Sequence, residues 1–315
     1  MRVGWDEVAL NGRAQWVSLR GAEHAPLLLF VHGGPGASEF PQRRRYLRAL
    51  ERDWLVVDWD QPGAGRSFRG DETSTTLSLE MLVDDGVALV ELLAGDYREQ
   101  PVVLVGHSFG TVLGIRIADL TARHLAAYVG ASQVVNWALQ EERSYDWALQ
   151  EARRTGNLKA QAALDQIGRP VAGQYPTGTG GLTTQRRWLG TLGGVAADPR
   201  FVARWALSVF TSRGYPHTAK LRYLKAMDRS MDLLWPHLCE EVDFSREALA
   251  LDVPVHLFAG RQDRITDLAQ IEEWFQALDA PAKRLEVVDD AGHLNLYEKP
   301  DRFITFMDQV RESLA

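Results

Sequence analysis

The sequence has almost no cysteine and no long apolar runs. Its 315 residues include one cysteine, Cys239, so no disulfide can form within the chain, which fits a reducing compartment. No apolar stretch approaches the ~18 residues that cross a bilayer. The first residues, MRVGWDEVALNGRAQW, carry charges where a signal peptide needs an apolar run. We therefore expect a soluble, cytoplasmic protein with no membrane partner.

Basic tracts are absent as well. The chain has 35 Lys and Arg residues against 42 Asp and Glu residues, a formal net charge of −7. Without a basic stripe, nucleic acid and anionic membranes are not expected partners. The 45% hydrophobic fraction is that of an ordinary globular protein, and the length suits one large domain or a core with an insertion. The expected partner is a small molecule or a short peptide.

Short apolar segments alternate with helix-like segments along most of the chain. Asn11-Gly12, between two strand-like segments, is a strong hairpin signal. The later apolar segments are continuous, as in strands that are covered on both faces of a parallel sheet. They read LLLFVHG, WLVVDWD, PVVLVGHS, LAAYVGAS, VPVHLFAG and KRLEVVDDAGH. This alternation predicts an α/β fold with a mostly parallel central sheet flanked by helices.

The alternation is interrupted once, between about Val134 and Leu251. No strand-like segment occurs there, and the helix-like segments predict a helical cap inserted after the sixth strand. A stretch rich in Gly, Pro and Thr, residues 168–184, predicts a loop that is either a linker or a mobile lid. The predicted division is 1–133 for the first part of the core, 134–250 for the cap and 251–315 for the second part of the core.

The segment VVLVGHSFGTVLGI contains the pattern G-x-S-x-G. Gly106 and Gly110 flank Ser108, an apolar strand precedes them and a helix-like pattern follows. In a nucleophile elbow of this kind, the serine lies on a tight strand-to-helix turn, and the glycines let neighbouring segments approach closely. The start of the following helix adds positive potential at the hydroxyl. Ser108 is therefore the predicted nucleophile.

A serine hydroxyl is a weak nucleophile that needs a base held by an acid. In this architecture the acid and then the histidine follow the serine along the chain. Asp263 follows a strand and a glycine in VPVHLFAGRQDRIT, and His293 follows another strand in KRLEVVDDAGH. Both positions lie at the carboxyl edge of a parallel sheet, where catalytic groups gather. Three other acids have weaker contexts: Asp267, Asp289 and Asp290.

The motif His-Gly-Gly-Pro-Gly, residues 32–36, ends the first continuous apolar segment. Attack on a carbonyl creates an oxyanion, which needs preorganised N–H donors. One expected donor is the amide of the residue after the nucleophile, Phe109, and the other comes from this glycine-rich loop. Pro35 has no N–H and fixes the backbone, so Gly34 is the predicted second donor.

Taken in order, HGGPG, DQPGAGRS (60–67), GHSFG, GRQD and AGH resemble the motifs of the α/β-hydrolase superfamily. The HGGPG form is similar to that of prolyl iminopeptidase-like serine peptidases. This resemblance implies an α/β-hydrolase fold, a Ser108–His293–Asp263 triad, an oxyanion hole from Gly34 and Phe109, and neither metal nor other cofactor. It further implies release of an N-terminal residue, commonly proline. DQPGAGRS is expected only to shape the turn beside the oxyanion loop.

The resemblance also raises the question of how a substrate amine is bound. Aminopeptidases of the family bind the α-ammonium group with glutamates, and some members have one directly after the triad aspartate. Here that position is Arg264, which has the opposite charge. Glu141, at the entry to the cap, is the first candidate for an ammonium ligand, and Glu240 and Glu241, near its end, are the second. The alternative for all three is a plain surface acid.

Three functions remain open from the sequence. The first is a proline iminopeptidase-like aminopeptidase or amidase acting through an acyl-enzyme. The second is an esterase, lactonase or amide hydrolase for a specialised metabolite, with the same triad and no ammonium ligand. The third is a hydrolase-fold binding protein, which the intact triad disfavours. Dehalogenase or epoxide hydrolase chemistry would place an aspartate at the elbow, where this chain has Ser108.

Overall fold

The computed structural model describes residues 4–98, 100–247 and 249–314, and its centre is a single eight-stranded sheet. In chain order the strands are β1 (Gly4–Leu10), β2 (Arg13–Gly21), β3 (Leu27–Val31), β4 (Leu55–Asp60), β5 (Val102–His107), β6 (Leu125–Ala131), β7 (Val255–Gly260) and β8 (Lys283–Val288). In space the order is β1-β2-β4-β3-β5-β6-β7-β8. The sheet is therefore mixed only at one edge, where β1 and β2 are antiparallel to their neighbours.

The hairpin at that edge confirms the prediction from Asn11-Gly12. Both residues have positive φ, +48° and +77°, which a two-residue hairpin turn requires and which Asn and Gly tolerate best. From β4 onward, all neighbouring strands are parallel. The predicted α/β fold with a mostly parallel sheet is confirmed.

The continuous apolar segments form the centre of the sheet. All five residues of β3 are buried, as are all residues of β4, β5 and β7. Burial on both faces explains why these strands show no alternation of polar and apolar residues. Because they run parallel, their carboxyl ends meet at one edge, where loops can bring reactive side chains together.

Helices flank the sheet and form the insertion. The helices of the core are α1 (Phe40–Tyr46), α2 (Leu79–Asp96), α3 (Phe109–Leu120), α10 (Leu268–Ala277), α11 (Asn295–Glu298) and α12 (Pro300–Glu312). Between β6 and β7 lie α4 (Trp137–Arg154), α5 (Leu158–Ile167), α6 (Thr179–Thr191), α7 (Pro199–Thr211), α8 (His217–Glu241) and α9 (Phe244–Glu247). Among the described residues, none of these helices is both long and apolar enough to span a bilayer.

One local prediction in the cap is wrong. The predicted loop of residues 168–184 ends early, because α6 already begins at Thr179. Leu182 and Gln185 are buried against the rest of the cap, and the hydroxyls of Thr183 and Thr184 donate to carbonyls one turn back. Tertiary packing of one helix face thus overrides the poor helix propensity of a Gly- and Thr-rich stretch.

Candidate active site

Ser108 lies on a sharp turn between β5 and α3. Its φ of 53° and ψ of −123° are strained for a residue with a side chain. A Cβ on Gly110 would lie 2.0 Å from the carbonyl oxygen of Val31, and one on Gly106 would lie 2.7 Å from that of Gly110. Both glycines are therefore required for the close approach of β3, β5 and α3, which projects Ser108 from the carboxyl edge of the sheet.

The structure brings Ser108 together with the predicted histidine and acid. Ser108 Oγ lies 2.8 Å from His293 Nε2, and His293 Nδ1 lies 2.9 Å from Asp263 Oδ2. When His293 carries its proton on Nδ1, it donates to Asp263 and accepts from Ser108. This arrangement can withdraw the proton of the hydroxyl as the oxygen attacks a carbonyl.

Asp263 is held rigidly beneath the histidine. Its Oδ1 accepts the N–H groups of Ile265 at 2.8 Å and Thr266 at 2.9 Å, and its Oδ2 accepts the Thr266 hydroxyl. Burial alone would raise the pKa of Asp263, but His293 and these donors lower it below the ordinary value. The group thus stays ionised where it can orient the imidazole.

A second pair of ionisable groups lies behind His293, and the sequence motifs did not predict it. His107 Nδ1 is 2.7 Å from Glu39 Oε1, and His107 Nε2 is 3.1 Å from the backbone oxygen of His293. The Tyr297 hydroxyl donates to the other oxygen of Glu39 at 2.9 Å. Burial opposes both charges, yet Glu39 raises the pKa of His107 and His107 lowers the pKa of Glu39. The signal available in the sequence was the histidine inside the elbow motif.

The two predicted oxyanion donors lie beside the nucleophile. Gly34 lines the same cavity as Ser108, and its φ of +118° favours glycine. Phe109 is the first residue of α3, where an N–H has no carbonyl partner within the helix. The donor role of both residues stays a prediction.

A cavity of about 270 Å³ opens above Ser108 and His293. Its cap wall is largely apolar, and its polar groups are few. The cap contributes Trp137, Leu182, Trp205, Met227, Met231 and Trp235, with Gln140, Thr183, Arg186 and Asp228 as polar neighbours. Such a lining suits a small, mostly apolar group. Among the described residues, no three His, Cys, Asp or Glu side chains are grouped to bind a metal ion.

Residues 28–306 match the Alpha/beta hydrolase family. The chain belongs to this family. The match covers β4 to β8, nearly all of β3 and the cap, whereas β1 and β2 lie before it.

Individual relatives have names that refer to different hydrolase activities. The "Probable aminopeptidase YbaC" of Bacillus subtilis is 25% identical over 299 residues, which is 94% of this chain and 92% of that protein. The proline iminopeptidase-related protein TTHA1809 of Thermus thermophilus superposes with a TM-score of 0.72 at 18% identity, covering 100% of this chain and 99% of that one. The esterase RhEst1 of Rhodococcus superposes with a TM-score of 0.67 at 16% sequence identity, covering 99% of this chain and 100% of that one. These structural matches show the fold alone.

The three glutamates predicted to bind an ammonium group do not line the cavity of this hydrolase. Glu141 is fully buried, and its carboxylate pairs with both terminal nitrogens of Arg186 and accepts the Tyr175 hydroxyl at 2.6 Å. Glu240 and Glu241 are exposed at the end of α8, and Glu241 pairs with His237. The placement of all three corrects the expectation, because a fixed cation already occupies the first carboxylate and solvent surrounds the others.

The loop between α6 and α7, residues 192–198, connects the cap to the two core loops that contain Asp263 and His293. The N–H of His293 donates to the Val195 carbonyl at 2.8 Å, and the N–H of Arg264 donates to the Gly194 carbonyl at 2.9 Å. Glu298 accepts the N–H groups of Ala197 at 2.8 Å and Gly292 at 2.7 Å. The positions of His293 and of the loop that contains Asp263 thus depend directly on the cap backbone.

Asp60, within DQPGAGRS, has the structural surroundings expected for a turn-shaping residue. It accepts hydrogen bonds from the Ser38 hydroxyl, from the Arg66 N–H at 2.8 Å and from the Tyr215 hydroxyl at 3.2 Å. Burial raises its pKa to about 6 although these donors lower it. The carboxylate therefore connects the region after the oxyanion loop with the loop between α7 and α8.

Proposed function

We propose that this alpha/beta hydrolase is a serine hydrolase in which Ser108 is the nucleophile, His293 the general base and Asp263 the group that orients the base. The observation that carries the proposal is the chain of hydrogen bonds from Ser108 through His293 to Asp263 at the wall of a substrate-sized cavity. The strained backbone of Ser108 supports it, because such strain is concentrated at functional sites.

The proposed reaction passes through an acyl-enzyme. Ser108 Oγ attacks the substrate carbonyl and transfers its proton to His293 Nε2, while the amides of Gly34 and Phe109 stabilise the oxyanion. His293 then protonates the leaving group as the carbonyl–leaving-group bond breaks. Water repeats the sequence, with His293 again as base, and releases the acid and free Ser108.

The first candidate substrate is a small amide or peptide with a free N-terminal amine. The curated relative named as a probable aminopeptidase supports this class. In the cavity itself, Asp228 on α8 is an exposed carboxylate with no ion-pair partner among the described residues. A carboxylate in that position can bind an ammonium group of a substrate, because such a group needs a counter-charge when it leaves water.

The second candidate is an esterase or lactonase activity on an uncharged metabolite. The largely apolar cap wall favours it, and so does the absence of Glu141, Glu240 and Glu241 from the cavity lining. Here the triad would act on the same kind of carbonyl with no amine recognised.

The nucleophile is tested by covalent labelling. A fluorophosphonate probe should label the wild-type enzyme on the peptide that contains Ser108, and Ser108→Ala should lose labelling together with turnover on the order of 10⁶-fold. Ser67→Ala, a change in a serine away from the site, is the matched control and should label normally. Labelling that persists in Ser108→Ala would reject the proposed mechanism.

The substrate class is tested with matched pairs. Prolyl and alanyl naphthylamides are compared with their N-acetylated forms and with p-nitrophenyl esters. If the amine is recognised, acetylation should raise KM, and Asp228→Asn should raise KM for the free amine about ten- to a hundredfold with ester hydrolysis unchanged. Asp232→Asn, on the same helix outside the cavity, is the control. Equal cleavage of free and acetylated substrates would select the esterase.

A further inference from the structure

A second cleft, of about 270 Å³, lies between the core and the cap and shares no lining residue with the cavity above Ser108. Arginine side chains from four separate elements converge on it, whereas no carboxylate lines it. The arginines are Arg20 of β2, Arg44 and Arg45 of α1, Arg48 of the following 3₁₀ turn and Arg213 of the loop between α7 and α8. In a protein with a net charge of −7, this concentration of positive charge needs an explanation.

Among the described residues, only one of these five guanidinium groups, that of Arg44, forms an ion pair. Arg44 pairs with Glu51, and that carboxylate also accepts from the neighbouring Arg43 at 3.0 Å. Among the described residues, no carboxylate lies within ion-pair distance of the other four arginines. Like charges that crowd one concave surface repel each other, so the cluster is unfavourable unless an anion fills it.

Arg20 shows this imbalance at the level of single atoms. Its guanidinium lies 5.8 Å from the ring centre of Phe40, which fixes its position, and its Nε is buried with no hydrogen-bond partner. Burial and the nearby Arg44 lower the pKa of Arg20, although the carboxylates of Glu51 and Asp58 act in the opposite direction. A buried donor without an acceptor costs free energy, so Arg20 occupies the wall of the cleft at a cost in stability.

We propose that this cleft binds a small phosphorylated molecule through a diphosphate or an equivalent pair of phosphate groups. Planar guanidinium groups donate paired hydrogen bonds that match phosphate oxygens, and several of them together match a multivalent anion better than a single carboxylate. The concave shape and the volume suit a small ligand rather than an extended polymer.

The ligand would join the two parts of the molecule. Arg20, Arg45 and Arg48 belong to the core, whereas Arg213 lies in the cap. Ser208, on the cap wall of the cleft, is one turn after Trp205, which lines the other cavity. The proposal concerns binding only, and it holds whatever bond the hydrolase cleaves.

The test is calorimetric titration of the full-length protein at constant ionic strength with orthophosphate, pyrophosphate and ADP. We expect saturable binding of pyrophosphate and weaker binding of orthophosphate. Arg45→Gln/Arg48→Gln/Arg213→Gln should raise the Kd for pyrophosphate at least about tenfold. Arg153→Gln, which removes one exposed guanidinium on α4 outside the cleft, is the control and should bind like wild type. Tighter binding of ADP than of pyrophosphate would indicate an organic diphosphate, and the reverse an inorganic one.

Two further measurements keep the outcome clear. Without ligand and at low salt, the triple variant should unfold at the same temperature as wild type or higher, because repulsion is removed; this shows that lost binding is not lost folding. Absence of saturable binding to wild type, an unchanged Kd in the triple variant, or equally tight binding of citrate would each overturn the proposal.

Discussion

Two regions of the molecule each contain a buried carboxylate that faces a cationic or imidazole side chain. One region is the carboxyl edge of the sheet and the other is the cap, and the two pairs differ in what they contact next. At the sheet edge, Asp263 faces His293, whose other nitrogen contacts Ser108 at the wall of the cavity. In the cap, Glu141 faces Arg186 and Tyr175, which hold both of its oxygens in place. The first pair continues to the Ser108 hydroxyl, whereas in the second pair Arg186 reaches the cavity wall and Glu141 does not. Burial and charge alone therefore do not identify a candidate catalytic acid. The distinguishing feature is the group that the partner of the carboxylate contacts on its other side.

The largest expected effect is on the sheet edge. Asp263→Asn keeps the side-chain shape, but an amide at the position of Oδ2 favours the histidine tautomer that cannot accept from Ser108. We expect kcat to fall on the order of 10⁴-fold, with the cavity intact. Steady-state hydrolysis of an activated ester measures the loss.

Asp267→Asn is the matched control for that change. Asp267 lies four residues later and pairs with Arg143 outside the triad, so its loss should leave kcat nearly unchanged. If Asp263→Asn retains more than about a tenth of the wild-type rate, another group orients His293, and the contrast between the two regions fails.

The next effect concerns the cap and appears in stability instead of rate. Glu141→Gln leaves the guanidinium of Arg186 without its counter-charge in a mostly buried position. We expect the free energy of unfolding to fall by about 3 kcal/mol, at the lower end for buried pairs because the Arg186 side chain is 25% exposed. Denaturant unfolding measures this, and kcat on a small ester should stay close to wild type.

The adjacent glutamate offers a sharp comparison. Glu142 pairs with Arg169 at 3.1 Å on the surface, so Glu142→Gln should cost no more than about 1 kcal/mol. A Glu141→Gln variant of normal stability that specifically raises KM for free-amine substrates would restore Glu141 as the ammonium ligand and contradict the structural role.

The smallest effect is the pH dependence contributed by Asp60. Its folded-state pKa is about 6, above the 3.8 of an unperturbed group, so the folded protein holds this proton more tightly. Asp60 therefore destabilises the fold fully above pH 6, and this cost disappears as the pH falls through 6 towards 3.8. In the wild type, Asp60 lowers the free energy of unfolding by roughly 2–3 kcal/mol as the pH rises from 3.8 to above 6. Asp60→Asn should remove this pH-dependent loss. Chemical denaturation of both proteins at pH 4.5 and 7 measures it. If the unfolding free energies of wild type and Asp60→Asn differ by the same amount at pH 4.5 and at pH 7, then Asp60 titrates normally.

The sheet edge was largely predictable from the sequence. Ser108, Asp263 and His293 each follow a continuous apolar strand, and parallel strands place their carboxyl ends together without any knowledge of side-chain packing. Topology therefore brought together residues as far apart as 108 and 293 in the chain. The same reasoning explains why the glycine-rich loop after β3 was placed correctly.

The cap was less predictable for a physical reason. Helices have no shared edge, and which faces meet is decided by packing that the sequence does not state locally. The partner of Glu141 is Arg186, 45 residues later on α6, a helix that composition did not predict. Glu39 was missed similarly, because its partner His107 belongs to a distant element. Long-range pairing of single polar residues leaves no periodic signal.

The loop between α6 and α7 has a consequence for engineering. Exchange of the cap for that of another hydrolase would succeed only if the cap were an independent module. In this molecule, His293 and Arg264 donate backbone hydrogen bonds to Val195 and Gly194, so a grafted cap would also have to supply these two acceptors. Transplanted helices that reproduce the substrate pocket but not the Gly194 and Val195 carbonyls would leave the N–H groups of Arg264 and His293 without these acceptors. The cap therefore supplies both the lining of the pocket and the backbone acceptors for His293 and Arg264. Redesign of the pocket is best confined to α7 and α8.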